Sequence, residues 1–512
     1  MEVRQLKTTR RGLSLAAALA GILFAATASP QQASEEENSV RSSPKDLTEY
    51  ARPAGASDLR HGRIHPKVFI RDVVVSNTDP TLSVTDTFND GETSIAVNPA
   101  NHDEIVITSL AGGWGNFAPL WHSTDGGATW TKRFTIPRPP GILGATGCPC
   151  DQTVAYARDG VLVGTFLTVS NTDVYSGATT DPANDSAWDW LAPGGTTART
   201  NLVATNNADQ PWVLVNRDVF AAGLDNVYVA YDDFSRGPDM RVAVSIGTNP
   251  PNFLTDVRSG ISTGFVNPGH RLAQNSLTGL MYSLFQRRVS PGAAGSQHID
   301  YMLNRSIDGG LSWPLGNGNG IIVASADSTQ PRPKFGTVNA LLGGVLHAAV
   351  HAQTGDLYYV YGNRDPGTGR NRLAIRRITT DAAGNPIVGE ESFVTGQVDA
   401  ALPSVAVTPN GTVGVFHYTF DGFDSSRFPI FTARVALSTN RGATFTDTPL
   451  LTFVSSARDN GNSRQRVLGD YMQMKVAGGT FYGAFTANGV SFGRPFANHD
   501  PIFFRIHPTG PR

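Results

Sequence analysis

The sequence predicts an all-β fold in which seven four-stranded sheets stand radially around an axis, a seven-bladed β-propeller. Three observations predict it. A pair of short apolar strands joined by a Gly or Asp turn recurs seven times, at intervals of roughly 55–75 residues. An eight-residue turn, Ser-x-Asp-x-Gly-x-Thr-Trp, recurs at related spacing. The 512 residues include 54 Gly and 32 Pro with only 16% charged, a turn-punctuated composition without a long amphipathic helical period. Six blades, with one hairpin misread, is the alternative.

Taken in order, residues 1–28 read as a signal peptide. Arg4, Lys7, Arg10 and Arg11 form a basic start, and 13–26 is an apolar run too short to span a bilayer comfortably. Ala26-Thr27-Ala28 offers a small-residue cleavage site. The adjacent Arg10-Arg11 suits a twin-arginine export signal as well as an ordinary one. The expected destination is therefore secreted or periplasmic. Without this segment the chain carries 37 basic and 42 acidic residues, a formal charge of −5. No basic face speaks for nucleic acid, and no second apolar run is long enough for a membrane span. Residues 29–66, rich in Ser, Gln, Glu, Pro and Ala, read as a disordered spacer, and 67–512 as a single propeller domain.

A β-run at 68–76, VFIRDVVVS, precedes the first unit and is assigned to closing the ring. The units then follow. TSIAVNP (93–99) leads to EIVITSL, and TVAYARDG (153–160) to VLVGTFL. WVLVNRD (212–218) leads to NVYVAYDD, and RLAQNSLTG (271–279) to LMYSLFQ. HAAVHAQTG (347–355) leads to DLYYVYG, PSVAVTPNG (403–411) to TVGVFHY, and YMQMKVAGG (471–479) to TFYGAFT. One such sheet cannot bury both faces alone, so each must be covered by its neighbours.

The turn pattern is STDGGATW at 123–130, SIDGGLSW at 306–313, and a worn STNRGATF at 438–445. The Asp and Ser side chains can brace the turn, and the glycines take backbone angles that other residues resist. This resembles the Asp-box (BNR) repeat of the sialidase-like β-propellers. The resemblance implies a propeller fold and an exo-α-sialidase-like glycoside hydrolase. Such enzymes use an arginine cluster on the sialic carboxylate, a Tyr nucleophile helped by a Glu, and an Asp acid/base. Their Phe/Tyr-Arg-Ile-Pro signature is not reproduced here. Arg63-Ile64-His65-Pro66 carries an extra residue, and Phe504-Arg505-Ile506-His507-Pro508 lies at the opposite end.

In a propeller the loops that approach the innermost strands gather around the axis. The residues there are Glu92, Asp151, Asp209, His270-Arg271, His347 and Asp470-Tyr471. A polar, mostly acidic ring at the axial mouth follows. Close carboxylates raise one another's pKa, so Glu92, Asp151, Asp209 and Asp470 could supply a general acid and a base, with Tyr471 a conceivable nucleophile. The same ring could hold Ca²⁺, or merely cap strand ends. Arg271 and Arg364 suit an acidic sugar, His347 is a further binding residue, and Trp114 is a stacking platform, as is Trp212. A lyase would instead use His270 or His347 with Tyr471 as base. A non-catalytic glycan- or protein-binding propeller is the third reading. The expected partner is a glycan or polysaccharide, bound by a monomer. The only cysteines, Cys148 and Cys150, read as a local disulfide, with a metal or redox pair as the minor alternative.

Overall fold

The computed structural model describes residues 49–51, 67–78, 90–110, 119–135, 139, 149–168, 173–184, 187–190, 202–204, 207–237, 239–262, 269–291, 297–328, 335, 346–394, 399–458 and 467–508. Their strands form seven antiparallel sheets, one per repeat unit, so the chain is a seven-bladed β-propeller. The inner strands are Ser94–Val97, Pro149–Tyr156, Ala208–Arg217, Arg271–Gln274, His347–Val350, Ala400–Val407 and Gln473–Ala477. In blades 1 to 6 the next three strands follow in sequence, moving outward.

Blade 7 closes the ring. Its third strand, His499–His507, pairs with the N-terminal strand Lys67–Asp72, in the register Val68 to Ile506 and Ile70 to Phe504. A further short strand, Glu49–Ala51, pairs with Lys67–Asp72. It falls inside 29–66, the stretch predicted as spacer. The free edge of Lys67–Asp72 offers unpaired amides and carbonyls that a preceding segment can meet.

Packing runs between blades rather than within one. Val73 and Val74 join Ile95, Trp121 and Trp130 of blade 1 with Tyr482 and Phe503 of blade 7 in one buried cluster. Between blades 4 and 5, Tyr301 donates to the carbonyl of Gly362 at 2.8 Å, and Tyr359 to that of Met302 at 3.0 Å. Buried phenols need such partners, and these bonds set the angle between neighbouring sheets.

The three turns share one geometry. Ser123 Oγ donates to Asp125 Oδ1 at 2.8 Å and accepts from the Gly127 amide at 2.9 Å. Asp125 accepts from the Thr129 amide at 2.9 Å, and Trp130 Nε1 donates to the Gly127 carbonyl at 3.1 Å. Ser306 and Asp308 repeat this with Gly310 and Ser312. In the worn copy Asn440 replaces Asp with little change, since its Oδ1 still accepts from Ser438 and from the Thr444 amide. Gly127 has φ of +88°, and a Cβ there would lie 2.1 Å from the Phe503 ring.

The closing strand ends in a buried charged group. Asp72, Arg494 and Asp500 are each 5% exposed or less. Arg494 Nε lies 2.9 Å from Asp500 Oδ2, while Asp72 Oδ1 accepts from the Val74 and Val75 amides at 2.9 and 3.0 Å. Burial pushes the Asp72 carboxyl up, against the Val75 and Val74 amides, Arg494 and Asp500. The folded state therefore holds its proton more tightly than the unfolded chain does. Stability falls as pH rises from the ordinary aspartate range through the raised value. Asp72→Asn keeps the acceptor and removes the charge. Its advantage in unfolding midpoint over wild type is expected to be larger at pH 7.5 than at pH 4; an equal difference at both would contradict the assignment.

Candidate functional site

Five of the seven inner strands begin with the same local device. Glu92, Asp151, Gln210, Gly269 and Leu402 all have positive φ, between +47° and +65°. They stand two residues before Ser94, Thr153, Trp212, Arg271 and Ser404, the corresponding positions of the inner strands. In blades 2, 3 and 6 the strand register shifts at this point, between Cys150 and Thr153, Asp209 and Trp212, and Ala401 and Ser404. The strand therefore enters through a bulge with one left-handed residue. A bulge re-aims side chains, and these do it at the axial mouth. Four of the five residues are not glycine, although the left-handed conformation costs a side-chain-bearing residue roughly 1–2 kcal/mol.

Two positions further on, the inner strands carry a ring of Ser94, Thr153, Trp212, Arg271, His347, Ser404 and Gln473. The strand registers fix the correspondence: the partner positions are Thr108, Thr165, Ala230, Leu284, Val360, Phe416 and Ala484. Four of these side chains accept a hydrogen bond from the next blade's inner strand. Ser94 accepts from the Val154 amide at 3.0 Å and Thr153 from the Val213 amide at 2.8 Å. His347 Nδ1 accepts from the Val405 amide at 3.2 Å and Ser404 from the Met474 amide at 2.9 Å. Ser94 Oγ also donates to Gln473 Oε1 at 3.1 Å, joining blade 1 to blade 7.

Contacts between blades that are not neighbours cross the axis, and they identify what meets there. Gln210 Nε2 of blade 3 donates to Asp470 Oδ2 of blade 7 at 3.4 Å. Tyr471 of blade 7 donates to the Gln152 carbonyl of blade 2 at 3.4 Å. The Trp212 ring lies edge-on to Tyr471 at 5.8 Å and to His347 of blade 5 at 5.5 Å. Arg271 of blade 4 is held between two aromatic faces, its Cζ 4.6 Å from the Trp212 ring and 5.1 Å from that of Tyr471. It donates to the His270 carbonyl at 2.8 Å and to Gln210 Oε1 at 3.4 Å, and is 1% exposed. Burial pushes its pKa down, against the attraction of Tyr471, Asp232, Asp470 and Asp151.

Asp232 lies at the end of the second strand of blade 3, in the NVYVAYDD run. It is fully buried, and neither oxygen has a hydrogen-bond partner among the described residues. Its register partner is Asp209. The equivalent pairs are apolar, Cys150 with Leu167 and Ala401 with Tyr418. Burial, then repulsion from Asp209 and Asp151, raise the Asp232 pKa well above the usual carboxylate range, and Arg271 only partly offsets this. Aligning the seven units on their strand pairs would have exposed the Asp-for-Leu exchange in the sequence.

The other expected residues fall as follows. Glu92 is buried, and its Oε1 accepts from the Asp470 amide at 3.2 Å. Asp151 is buried and Asp209 half-buried. His270 is buried between blades 3 and 4, where Nε2 meets Ser283 Oγ of blade 4 at 2.9 Å and Ser259 Oγ of blade 3 at 3.3 Å, and Nδ1 meets the Tyr231 carbonyl of blade 3 at 3.2 Å. Burial holds its pKa at about 3. Arg364 ends the second strand of blade 5, four residues past Val360, the partner of His347. Cys150 is disulfide-bonded. Its possible partner Cys148 and the expected platform Trp114 lie outside the described residues. Among the described residues no group of three or more His, Cys, Asp or Glu is arranged to hold a metal ion, so nothing there marks the Ca²⁺ that the acidic ring suggested.

No protein-family model matches the chain, and no curated protein matches it. Among solved structures, a protein of unknown function from Dyadobacter fermentans aligns with 86% of this chain and 99% of its own, at 12% identity and a TM-score of 0.40. A puromycin hydrolase covers 80% of this chain and 51% of its own, at 10% identity and a TM-score of 0.39. The GH93 α-L-arabinofuranosidase of Fusarium graminearum, solved with arabinobiose, covers 58% and 92%, at 11% identity and a TM-score of 0.33. Likeness at this level carries no argument about chemistry, and the fold assignment rests on the strand pairing.

The left-handed bulge makes a direct prediction. Gln210→Gly removes two long hydrogen bonds but relieves the backbone, and is expected to be as stable as wild type or up to about 1 kcal/mol more so. Gln210→Val, β-branched at the same φ, is expected to lose at least about 1 kcal/mol in denaturant unfolding. The reverse order would refute the strain assignment.

Proposed function

We propose that the protein is an exported, carbohydrate-active propeller of the Asp-box type, a sialidase-like glycoside hydrolase that acts on acidic glycans at the axial mouth. The observation that carries this reading is the Asp209–Asp232 pair, two carboxyls on facing strand positions whose environments differ. Glycosidic cleavage needs one carboxyl that keeps its proton and another that has lost it. Asp232, buried and raised, is the acid that protonates the leaving oxygen. Asp209, half-buried, is the partner that activates water. Arg271 engages the acidic group of the sugar, and Trp212 and Tyr471 flank it. Glu92 and Asp470, tied to each other, shape the mouth.

The lyase reading loses support from His270 and His347. The first has both ring nitrogens engaged, and burial holds each ring at a pKa of about 3, too low for an effective base. The non-catalytic reading keeps one specific observation in its favour, since Arg271 at 1% exposure also serves as a structural plug between blades 3, 4 and 7.

A panel of acidic glycans incubated with the mature protein, read by mass spectrometry, separates these. Hydrolysis gives fragments that have gained water, and elimination gives fragments that have not. Binding without product would transfer the assignment to a binding module. Asp232→Asn and Asp209→Asn are each expected to lower turnover by about 10²–10⁴-fold without lowering the thermal midpoint, and Asp232→Asn is expected to raise the midpoint at pH 7.5 for the reason given for Asp72. Unchanged turnover in both would remove the acid–base assignment.

A further inference from the structure

Below the ring of Ser94 to Gln473, the inner strands carry a second set of equivalent positions, two residues on. Five blades place alanine there, Ala96, Ala155, Ala273, Ala349 and Ala406, and blade 3 places Leu214. Blade 7 places Lys475, paired with Tyr482 as Ala273 is with Tyr282 and Ala349 with Tyr358. Six blades thus carry an apolar residue at this level, and the seventh carries a long cationic one. The ammonium of Lys475 lies 5.8 Å from the Trp212 ring, across the axis. Among the described residues it has no ion pair, and the residue keeps partial contact with solvent.

Two further donors converge on the same indole. Arg271 reaches its face, and its buried Nε has no hydrogen-bond partner. His347 is edge-on to it. Because His347 Nδ1 accepts from the Val405 amide, the neutral ring carries its proton on Nε2, which makes no hydrogen bond among the described residues. The three groups interact electrostatically, since Lys475 and Arg271 both help to keep His347 neutral after burial has done the larger part. Lys475 Nζ, His347 Nε2 and Arg271 Nε, contributed by blades 7, 5 and 4 around one ring, lack acceptors among the described residues, while the other Arg271 nitrogens bond the His270 carbonyl and Gln210 Oε1. Unmet donors of this kind are costly unless something accepts from them.

We propose that Lys475, Arg271 and His347 form an oxyanion-binding site in the axial channel, which takes a carboxylate or sulfate group. The planar Trp212 ring serves as its wall. Loss of water pushes the Lys475 pKa down to about 8, so it stays largely protonated near neutrality and becomes easier to strip of solvent than an ordinary lysine. The site does not depend on the hydrolase reading, because an anion can be held there whether or not a bond is cut.

The test is titration of the mature protein with sodium sulfate at constant ionic strength, with glucuronate as a second arm, followed by thermal midpoint. The wild type is expected to show a saturable rise of about 2–4 °C with at least one of them. Sulfate alone marks a site for inorganic anions, and glucuronate marks one for the acidic group of an organic ligand. Lys475→Met is expected to lose the rise and Lys475→Arg to keep it. Equal rises in wild type and Lys475→Met, or no rise in wild type with either anion, would overturn the proposal. Should Lys475→Met fail to fold, the ¹³C signals of reductively dimethylated Lys475 in otherwise wild-type protein serve instead. A shift that saturates with the anion supports the site, and an unmoved signal refutes it.

Discussion

Closure of the ring is the constraint on which everything else depends. Seven inner strands must stand side by side, and in four of them the side chain at the mouth is placed against the next blade's backbone. Ser94, Thr153, His347 and Ser404 answer this by accepting the amide of the next blade. At Trp212 and Arg271 the same position is given to large side chains that reach over the axis instead. The ring therefore has a stitched part and a part where long side chains cross the axis.

The same closure explains why the charged groups are perturbed. Residues as far apart in the chain as Glu92 and Asp470 are brought within hydrogen-bond reach. Carboxyls gathered in this way lose water and repel one another, so at least one of them retains its proton. Asp232 bears that burden because it is the most enclosed and faces Asp209 directly. Left-handed backbone at Glu92, Asp151 and Gln210 is retained in spite of its cost, which is the expected signature of a side chain kept for where it points.

Much of this was legible in the sequence, and the reason is repetition. The alternation of short apolar strands and turns gave the blade count, and the 68–76 run gave the closing strand, because both signals are local. The ring of residues before each inner strand was readable for the same reason, down to Asp151, Asp209 and Asp470. What was not readable was depth. His270 and Arg271 are adjacent in sequence, yet one is buried between blades 3 and 4 and the other reaches over the axis, since neighbouring residues of a strand face opposite sides. Asp232 lies in a run of acidic and basic residues that look solvated until the strand register sets it opposite Asp209. Lys475 stands out only when the units are aligned on their hydrogen-bonded partners, where it replaces alanine.

The central claim is electrostatic: closure of the ring makes the Asp232 carboxyl hold its proton well above the usual carboxylate range. Infrared difference spectroscopy between wild type and Asp232→Asn at pH 7 tests it most directly. A protonated carboxyl band that is present in wild type and lost in the variant is the expected result. A difference spectrum that shows only the loss of an ionised carboxylate would contradict it.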